Sequence, residues 1–472
     1  MNKSVKGLIV FVSAVFSGAV MASERPAPNK VLLERLENGP HIIGIVHWGL
    51  NTYTNQEWGF GDSDPAILNP SKFDADQIVA AAKEGGLGGL VIVAKHHDGF
   101  CLWPTKTTDY NISKSPFVCK SGGVECRDYV KAMSDACRRA GIKFGVYVSP
   151  WDRHDVDYAK PAYVEKYHAQ IKELLGGAYG EVFEMWFDGA NGGNGWYGGT
   201  KEHRKFASAD EYYRFGEVFS FVRALQPNVT IFAGENDSSD FRWPGNEGGI
   251  LVPDSRATIE TVGGFANGRY GNPKYGSMIN SGSIDGSYFR ACEADFPLRR
   301  GWYWRKSEDG RQKNAAYLAR LYLISVGNGG TMNIGLAPNK DGRLGEDDCR
   351  ALKGFSVIRK ALFEREVKEG EKFNIVVMSE GLKNGEQVDE WEFVSGGKVL
   401  FKGKSIGNKR IRVLGTPETA KGCELKVLKS AGKEYNVSYK LYYADPQLVS
   451  LVLNSSSDHG ETDTAKWMTK DR

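Results

Sequence analysis

The chain has 472 residues, 41% of them hydrophobic and 25% charged, a balance that fits a soluble globular fold and excludes extended disorder or fibrous repeats. The formal charge is +3, and +1 without Lys3 and Lys6 of an N-terminal segment that has no acid, so no basic surface calls for nucleic acid. Seven cysteines are too few, and odd in number, for a disulfide framework.

Lys3 and Lys6 precede an apolar run from Gly7 to Val20 and a small-residue site, Val20-Met21-Ala22. That is the pattern of a cleaved secretory signal over residues 1–22. The run is short for a membrane helix, and no other segment approaches the roughly 18 apolar residues of a span. A mature chain without a membrane span is therefore expected, in the periplasm or outside the cell.

From Gly44 onward strand-like runs alternate with helical patterns. The strands are read at 44–47, 89–95, 143–149, 182–187, 230–233 and 331–335, and the helices at 74–84, 127–140, 162–175, 210–225 and 312–325. Such alternation predicts a parallel sheet covered by helices, with barrel and open sheet equally compatible with the periodicity. The stretch "KEGGLGGL" lies between a helix and the next strand and reads as a helix stop, not a dinucleotide loop. Polar and aromatic residues recur just after strand ends: His47 and Trp48, His96 and His97, Ser149 and Trp151, Asp188. Barrel enzymes build their sites there, which favours a (β/α)8-like TIM barrel of class α/β over residues 23–360.

Cys119 and Cys126 bracket "KSGGVE", a loop short enough for a disulfide and equally compatible with two thiols. No CxxC spacing makes the other five cysteines metal ligands. Residues 236–304 are glycine-rich and irregular, so strands six and seven cannot be assigned and long loops over the site are expected. From 365 to 455, short segments such as "FNIVVMS", "KVLFKG" and "KRIRVLG" between glycine or asparagine turns predict an all-β sandwich. Residues 456–472 form a polar tail.

Asp188 ends the apolar run "VFEMWF" and precedes a glycine. It caps the following turn or serves as a barrel nucleophile. Glycosidic cleavage takes a second carboxyl group, and Glu235, Glu247 and Glu293 are the downstream candidates. Spacing alone does not separate Glu247 from Glu235. His96 and His97 are adjacent, and adjacent strand residues point to opposite faces unless the strand has ended. The pair lacks zinc-site spacing, and satisfied structural histidines compete with rings that bind sugar hydroxyls.

Six segments in order, "VHWGLNTYTNQEWGFGDSDPAILNPSKFD", "KHHDGFCLWPTKTTDYNI", "GIKFGVYVSPWDRH", "EVFEMWFDGA", "RWPGNEGG" and "RRGWYW", resemble the signatures of glycoside hydrolase family 29 α-L-fucosidases. The likeness runs from Ile43 to Leu352 and is strongest to the branch acting on α-1,3/1,4-linked fucose. It implies a retaining exo-glycosidase that removes terminal fucose from oligosaccharides or glycoconjugates, with no metal and no cofactor. By the same resemblance Asp188 is the nucleophile and Glu247 the acid/base. The sugar pocket then comprises His47, Glu57, Trp58, His96, His97, Trp186 and Arg242, with Trp302 beside the methyl group. Retention with two carboxyl groups requires Asp188 ionised and Glu247 protonated, so their pKa values should be pushed in opposite directions.

Two stretches depart from the family pattern, "GGTMNIGLAPNKDG" and the enlarged "GANGGNGWYGGTKEHRKF" after Asp188. Trp196 and Tyr197 in the latter either form an aglycone subsite or pin the loop. An α-L-galactosidase is the nearest rival reading, because an apolar pocket rejects one added hydroxyl only about a hundredfold. A sugar-binding protein without catalysis and a metal-dependent hydrolase are further alternatives.

Overall fold

Segments such as Ile42–Val46 and Gly89–Lys95 are buried at every position, as strands covered on both faces must be. The structure, a computed structural model, describes residues 25–456 except 122, 191, 234, 235, 237, 261–277 and 433. The expected signal segment, Glu235 and nearly all of the polar tail lie outside the described residues.

Eight parallel strands close into a barrel in chain order: β1 (Ile42–Val46), β2 (Gly89–Lys95), β3 (Lys143–Val148), β4 (Glu184–Phe187), β5 (Thr230–Ala233), β6 (Phe241–Arg242), β7 (Ala291–Pro297) and β8 (Thr331–Leu336). Helices Ala75–Glu84, Tyr129–Ala140, Pro161–Leu175, Phe215–Leu225, Ala315–Ser325 and Glu346–Leu362 cover it. Their ends follow local chemistry. Asp74 and Asp128 accept the N–H of the third helical residue, each at 2.9 Å, and Gly141 takes φ 69° to close the second helix. The helix expected over 210–225 is broken at Arg214, whose φ is 55°. Among the described residues no helix separates β5 from β6, so the barrel is regular in its first half and irregular in its second.

Side-chain alternation sorts the strands into two layers. Ile43, Ile45, Val91, Val93, Tyr147, Trp186 and Phe232 fill the lumen. Ile42, Val46, Leu90, Ile92, Val146 and Val148 face the helices. Extending the alternation past each strand end turns His47, Ser149 and Asp188 inward. Strand β2 breaks the rhythm: Val93 pairs with Tyr147 but Lys95 with Val148, so one extra residue is inserted. Lys95 thereby points outward, where it donates to Tyr163 Oη at 2.9 Å and pairs with Asp152 at 3.2 Å.

Beyond the barrel, two antiparallel sheets share one apolar core. Four strands, including Lys372–Glu380 and Arg410–Thr419, face three, including Val388–Ser395, around Phe373, Met378, Trp391 and Phe393. Helix Pro446–Leu453 returns to the barrel, burying Val449 and Val452 in its outer core. No helix among the described residues is long and apolar enough to cross a membrane. Cys119 and Cys126 are joined, their Cα atoms 5.1 Å apart.

Candidate active site

At the carboxyl ends of the strands lies a cavity of about 360 Å³. His47, His96, His97 and Trp186 line it together with Asp188 and Glu247, and Trp58 and Trp302 complete the ring at its mouth and side.

Asp188 continues the inward face of β4. Its Oδ1 accepts the Ala190 N–H at 2.6 Å, and its Oδ2 accepts the Tyr147 hydroxyl at 3.0 Å. Burial raises its pKa, and these two donors pull it back. The insertion in β2 and the end of the strand at Lys95 bring both adjacent histidines to the cavity, their ring centres 4.1 Å apart. One of them has its tautomer set by a neighbour. The Ser149 hydroxyl donates its single proton to the Trp151 carbonyl at 2.7 Å, so it must accept from His97 Nδ1, also at 2.7 Å. His97 Nε2 is then a lone-pair acceptor, 3.9 Å from Asp188 Oδ2. Burial, with the Arg153 and Lys95 charges, lowers the His97 pKa to about 3, and burial with His97 does the same to His47. Neutral rings beside a carboxylate suit hydroxyl groups as ligands. The Nδ1 atoms of His47 and His96 are buried without a hydrogen-bond partner.

Glu247 enters from the turn after β6. Burial raises its pKa, the Asp188 charge raises it further, and a hydrogen bond with the Trp302 side chain opposes them. Both carboxyl groups are thus pushed upward, not in opposite directions as the mechanism suggested. Hydrogen-bond donors favour the charged form of each, two at Asp188 and Trp302 at Glu247; the difference is that Glu247 also feels a neighbouring charge, that of Asp188, which favours its protonated form.

A third carboxyl group, Asp295 on β7, also lines the cavity. It is 3% exposed, its Oδ1 has no hydrogen-bond partner, and burial with the Glu247 charge drives its pKa well up. Glu293, two residues earlier on the same inward face, accepts from Trp186 Nε1 at 3.0 Å and Asn333 Nδ2 at 2.9 Å, holding the cavity floor.

Two residues expected to touch sugar stand behind the lining. Arg242 is 1% exposed, and its guanidinium donates to the carbonyls of Ile279, Ala257, Arg290 and Arg256, which leaves it no face toward the cavity. Glu57 accepts the Trp302 N–H and Arg305 Nη2, the latter at 2.6 Å, and so braces the wall. Tyr197 is fully buried and Trp196 stacks on His154, so both pin their loop and neither lines the cavity. Gly335, in one of the divergent stretches, lies under Trp302: a Cβ there would come within 2.7 Å of the indole. Among the described residues no group of three or more His, Cys, Asp or Glu side chains could hold a metal ion.

The sequence profile of the family described as Alpha-L-fucosidase matches residues 36–357. The chain belongs to the alpha-L-fucosidase family. It is 36% identical over 320 residues to Alpha-L-fucosidase 1 of Arabidopsis thaliana, covering 68% of this chain and 58% of that one. The chain therefore spans just over half the length of that relative. Among solved structures, a glycoside hydrolase 29 family member from an unknown rumen bacterium superposes with TM-score 0.80 at 29% identity, over 93% of this chain and 80% of the other. A Ruminococcus gnavus GH29 fucosidase solved with fucose shares the fold at TM-score 0.75 and 23% identity, over 91% and 98% of the two chains.

Sequence reading missed Tyr147 and Asp295. Tyr147 was legible in principle, two residues before Ser149 on an inward face. Asp295 was hidden in a strand whose two acids disguise it.

Proposed function

We propose that this member of the alpha-L-fucosidase family is a retaining exo-glycosidase that releases terminal α-L-fucose, with a preference for α-1,3/1,4 linkages. The observation that carries the reading is the single cavity lined by both Asp188 and Glu247 together with three neutral histidines. The family match supports the sugar, and the signature segments support the linkage.

Asp188 attacks the anomeric carbon while the bond from that carbon to the leaving oxygen breaks, and Glu247 gives its proton to that oxygen. Glu247 then takes a proton from water, whose oxygen displaces Asp188 from the anomeric carbon. Tyr147 and the Ala190 N–H stabilise the Asp188 carboxylate between turnovers and fix the direction of its attack. His47, His96 and His97 bind the hydroxyls, and Trp186 and Trp302 offer flat faces to the ring and its methyl group. The substrate is a fucosylated oligosaccharide or glycoconjugate. Residues 1–22 and the Cys119–Cys126 bridge support a periplasmic or secreted location.

One observation favours a second reading. The Asp295 carboxyl group, without a partner at Oδ1, is a polar group that the C6 hydroxyl of L-galactose would engage and a methyl group would not. Aryl α-L-fucoside and aryl α-L-galactoside assayed side by side decide between them. Faster turnover of the fucoside, abolished by Asp188→Ala, supports the first reading, and faster turnover of the galactoside supports the second. Binding without turnover of either sugar overturns both.

A further inference from the structure

The turn that carries Glu247 has no helix or strand ladder, so side chains must satisfy its backbone groups. Asn246 supplies the inner ties, accepting the Gly248 and Ile250 N–H groups at 3.1 and 3.2 Å and donating to the Ile250 carbonyl at 2.9 Å. The two ends of the turn are joined by Asn280, which donates to the Pro244 and Ile250 carbonyls at 3.1 and 2.9 Å. Asn280 is itself held: its carbonyl accepts the Ser255 hydroxyl at 2.7 Å, and its Oδ1 accepts the Val252 N–H at 2.7 Å.

The next link belongs to the C-terminal β module. Arg410, fully buried, donates to the Pro253 carbonyl at 2.6 Å and the Ser255 carbonyl at 2.9 Å. Arg412, 6% exposed, donates to the Pro253 carbonyl at 3.0 Å and to Asn328 Oδ1 at 3.2 Å. Asn328 in turn donates to the Leu251 carbonyl at 2.9 Å. The Lys404 N–H reaches Asp254 at 3.1 Å, and Glu386 accepts the Ala257 N–H at 3.1 Å. Every step is a direct hydrogen bond. None of these bonds touches the nucleophile side, where Asp188 accepts from Tyr147 and Ala190.

We propose that Arg410 and Arg412 are positioning residues for the general acid: the β module clamps segment 251–257 and, through Asn280 and Asn328, sets where Glu247 stands over the leaving oxygen. This rests on Glu247 being the acid/base. The β module is then part of the catalytic apparatus, not an appended sugar-binding unit. Because a misplacement of about 1 Å costs on the order of a hundredfold, loosening the clamp should be felt where proton donation matters and nowhere else.

The test is kcat/KM of the full chain on aryl α-L-fucosides from 2,4-dinitrophenyl, whose leaving group needs no proton, to phenyl, which does. Arg412→Lys and Ser255→Ala are expected to lose about ten- to a hundredfold on the phenyl fucoside and less than about threefold on the dinitrophenyl one. Ser255→Ala removes the hydroxyl that donates to the Asn280 carbonyl and also meets the Cys292 thiol, leaves both arginines in place, and keeps the test usable if the arginine variant does not fold. Equal losses on both substrates, or none, overturn the proposal. Glu247→Ala is run beside them. A steep leaving-group dependence there with a flat one in the clamp variants rejects the clamp alone, and a flat one in Glu247→Ala rejects the acid/base reading with it.

Discussion

Asp188 and Glu247 reach the same cavity by different routes. Asp188 prolongs β4, and its hydrogen bonds with Tyr147 and Ala190 come from the adjacent strand and its own turn. Glu247 sits in a turn fixed by Asn280, while Asn328 ties the Leu251 carbonyl just beyond that turn; a second domain bonds Asn328 directly and Asn280 through Ser255. The sheet ladder that positions the first is cooperative and local, so it tolerates change at a distance. The polar clamp that positions the second is a series of single bonds, each able to shift the acid. A site can thus be rigid on its nucleophile side and tunable on its acid side.

The largest effect that would break this comparison is at Asp188. Asp188→Ala should lower kcat on any aryl fucoside by about 10⁵-fold or more, whatever the leaving group. Residual turnover within a hundredfold of wild type would remove the nucleophile from the account. Glu247→Ala comes next, with a loss of about 10²–10⁴-fold on the phenyl fucoside. In the proposed mechanism Glu247 acts in its protonated form, so wild-type activity should fall as pH rises through its raised pKa, and this alkaline limb should vanish in the variant. A retained limb would assign it to another group, Asp295 first.

Tyr147→Phe sharpens the comparison on the nucleophile side. Losing a hydrogen bond to a charged group costs about 1.5–3 kcal/mol, or roughly ten- to a hundredfold in kcat/KM. The Tyr147 hydroxyl favours ionised Asp188, so its removal raises that pKa further and moves the acidic limb to higher pH. An unmoved acidic limb in the pH profile would sever Tyr147 from the nucleophile. Smallest is Gly335→Ala, whose methyl group meets the Trp302 indole and should cost about 1–3 kcal/mol of stability or wall geometry. Thermal unfolding with KM would read it, and unchanged values for both would show that the wall yields freely.

The same division decides what the sequence made legible. Strands β1 to β4 are apolar runs with a polar residue just past the end, so alternation gives the facing of His47 and Asp188, while the placement of those polar residues, not the periodicity, favours a barrel over an open sheet. The resemblance puts both His96 and His97 in the pocket, but how two adjacent rings reach it needed the structure, because the extra residue in β2 leaves no mark in composition. Strand β6 has two residues and β7 carries Glu293 and Asp295 inside a buried run, so neither follows a simple apolar pattern. Arg242 and Glu57 occupy signature segments, yet their charges meet backbone groups and Arg305, which spacing does not reveal. The clamp on Glu247 was invisible for the same reason: its partners are distant in the chain and polar on both sides.

The most direct measurement is mass spectrometry of the enzyme inactivated with 2-deoxy-2-fluoro-α-L-fucosyl fluoride, which slows release of the sugar from the nucleophile. The peptide containing Asp188 should gain one fluorofucosyl group, attached to that side chain. A label on any other residue, or unlabelled peptide recovered from inactivated enzyme, would contradict the account.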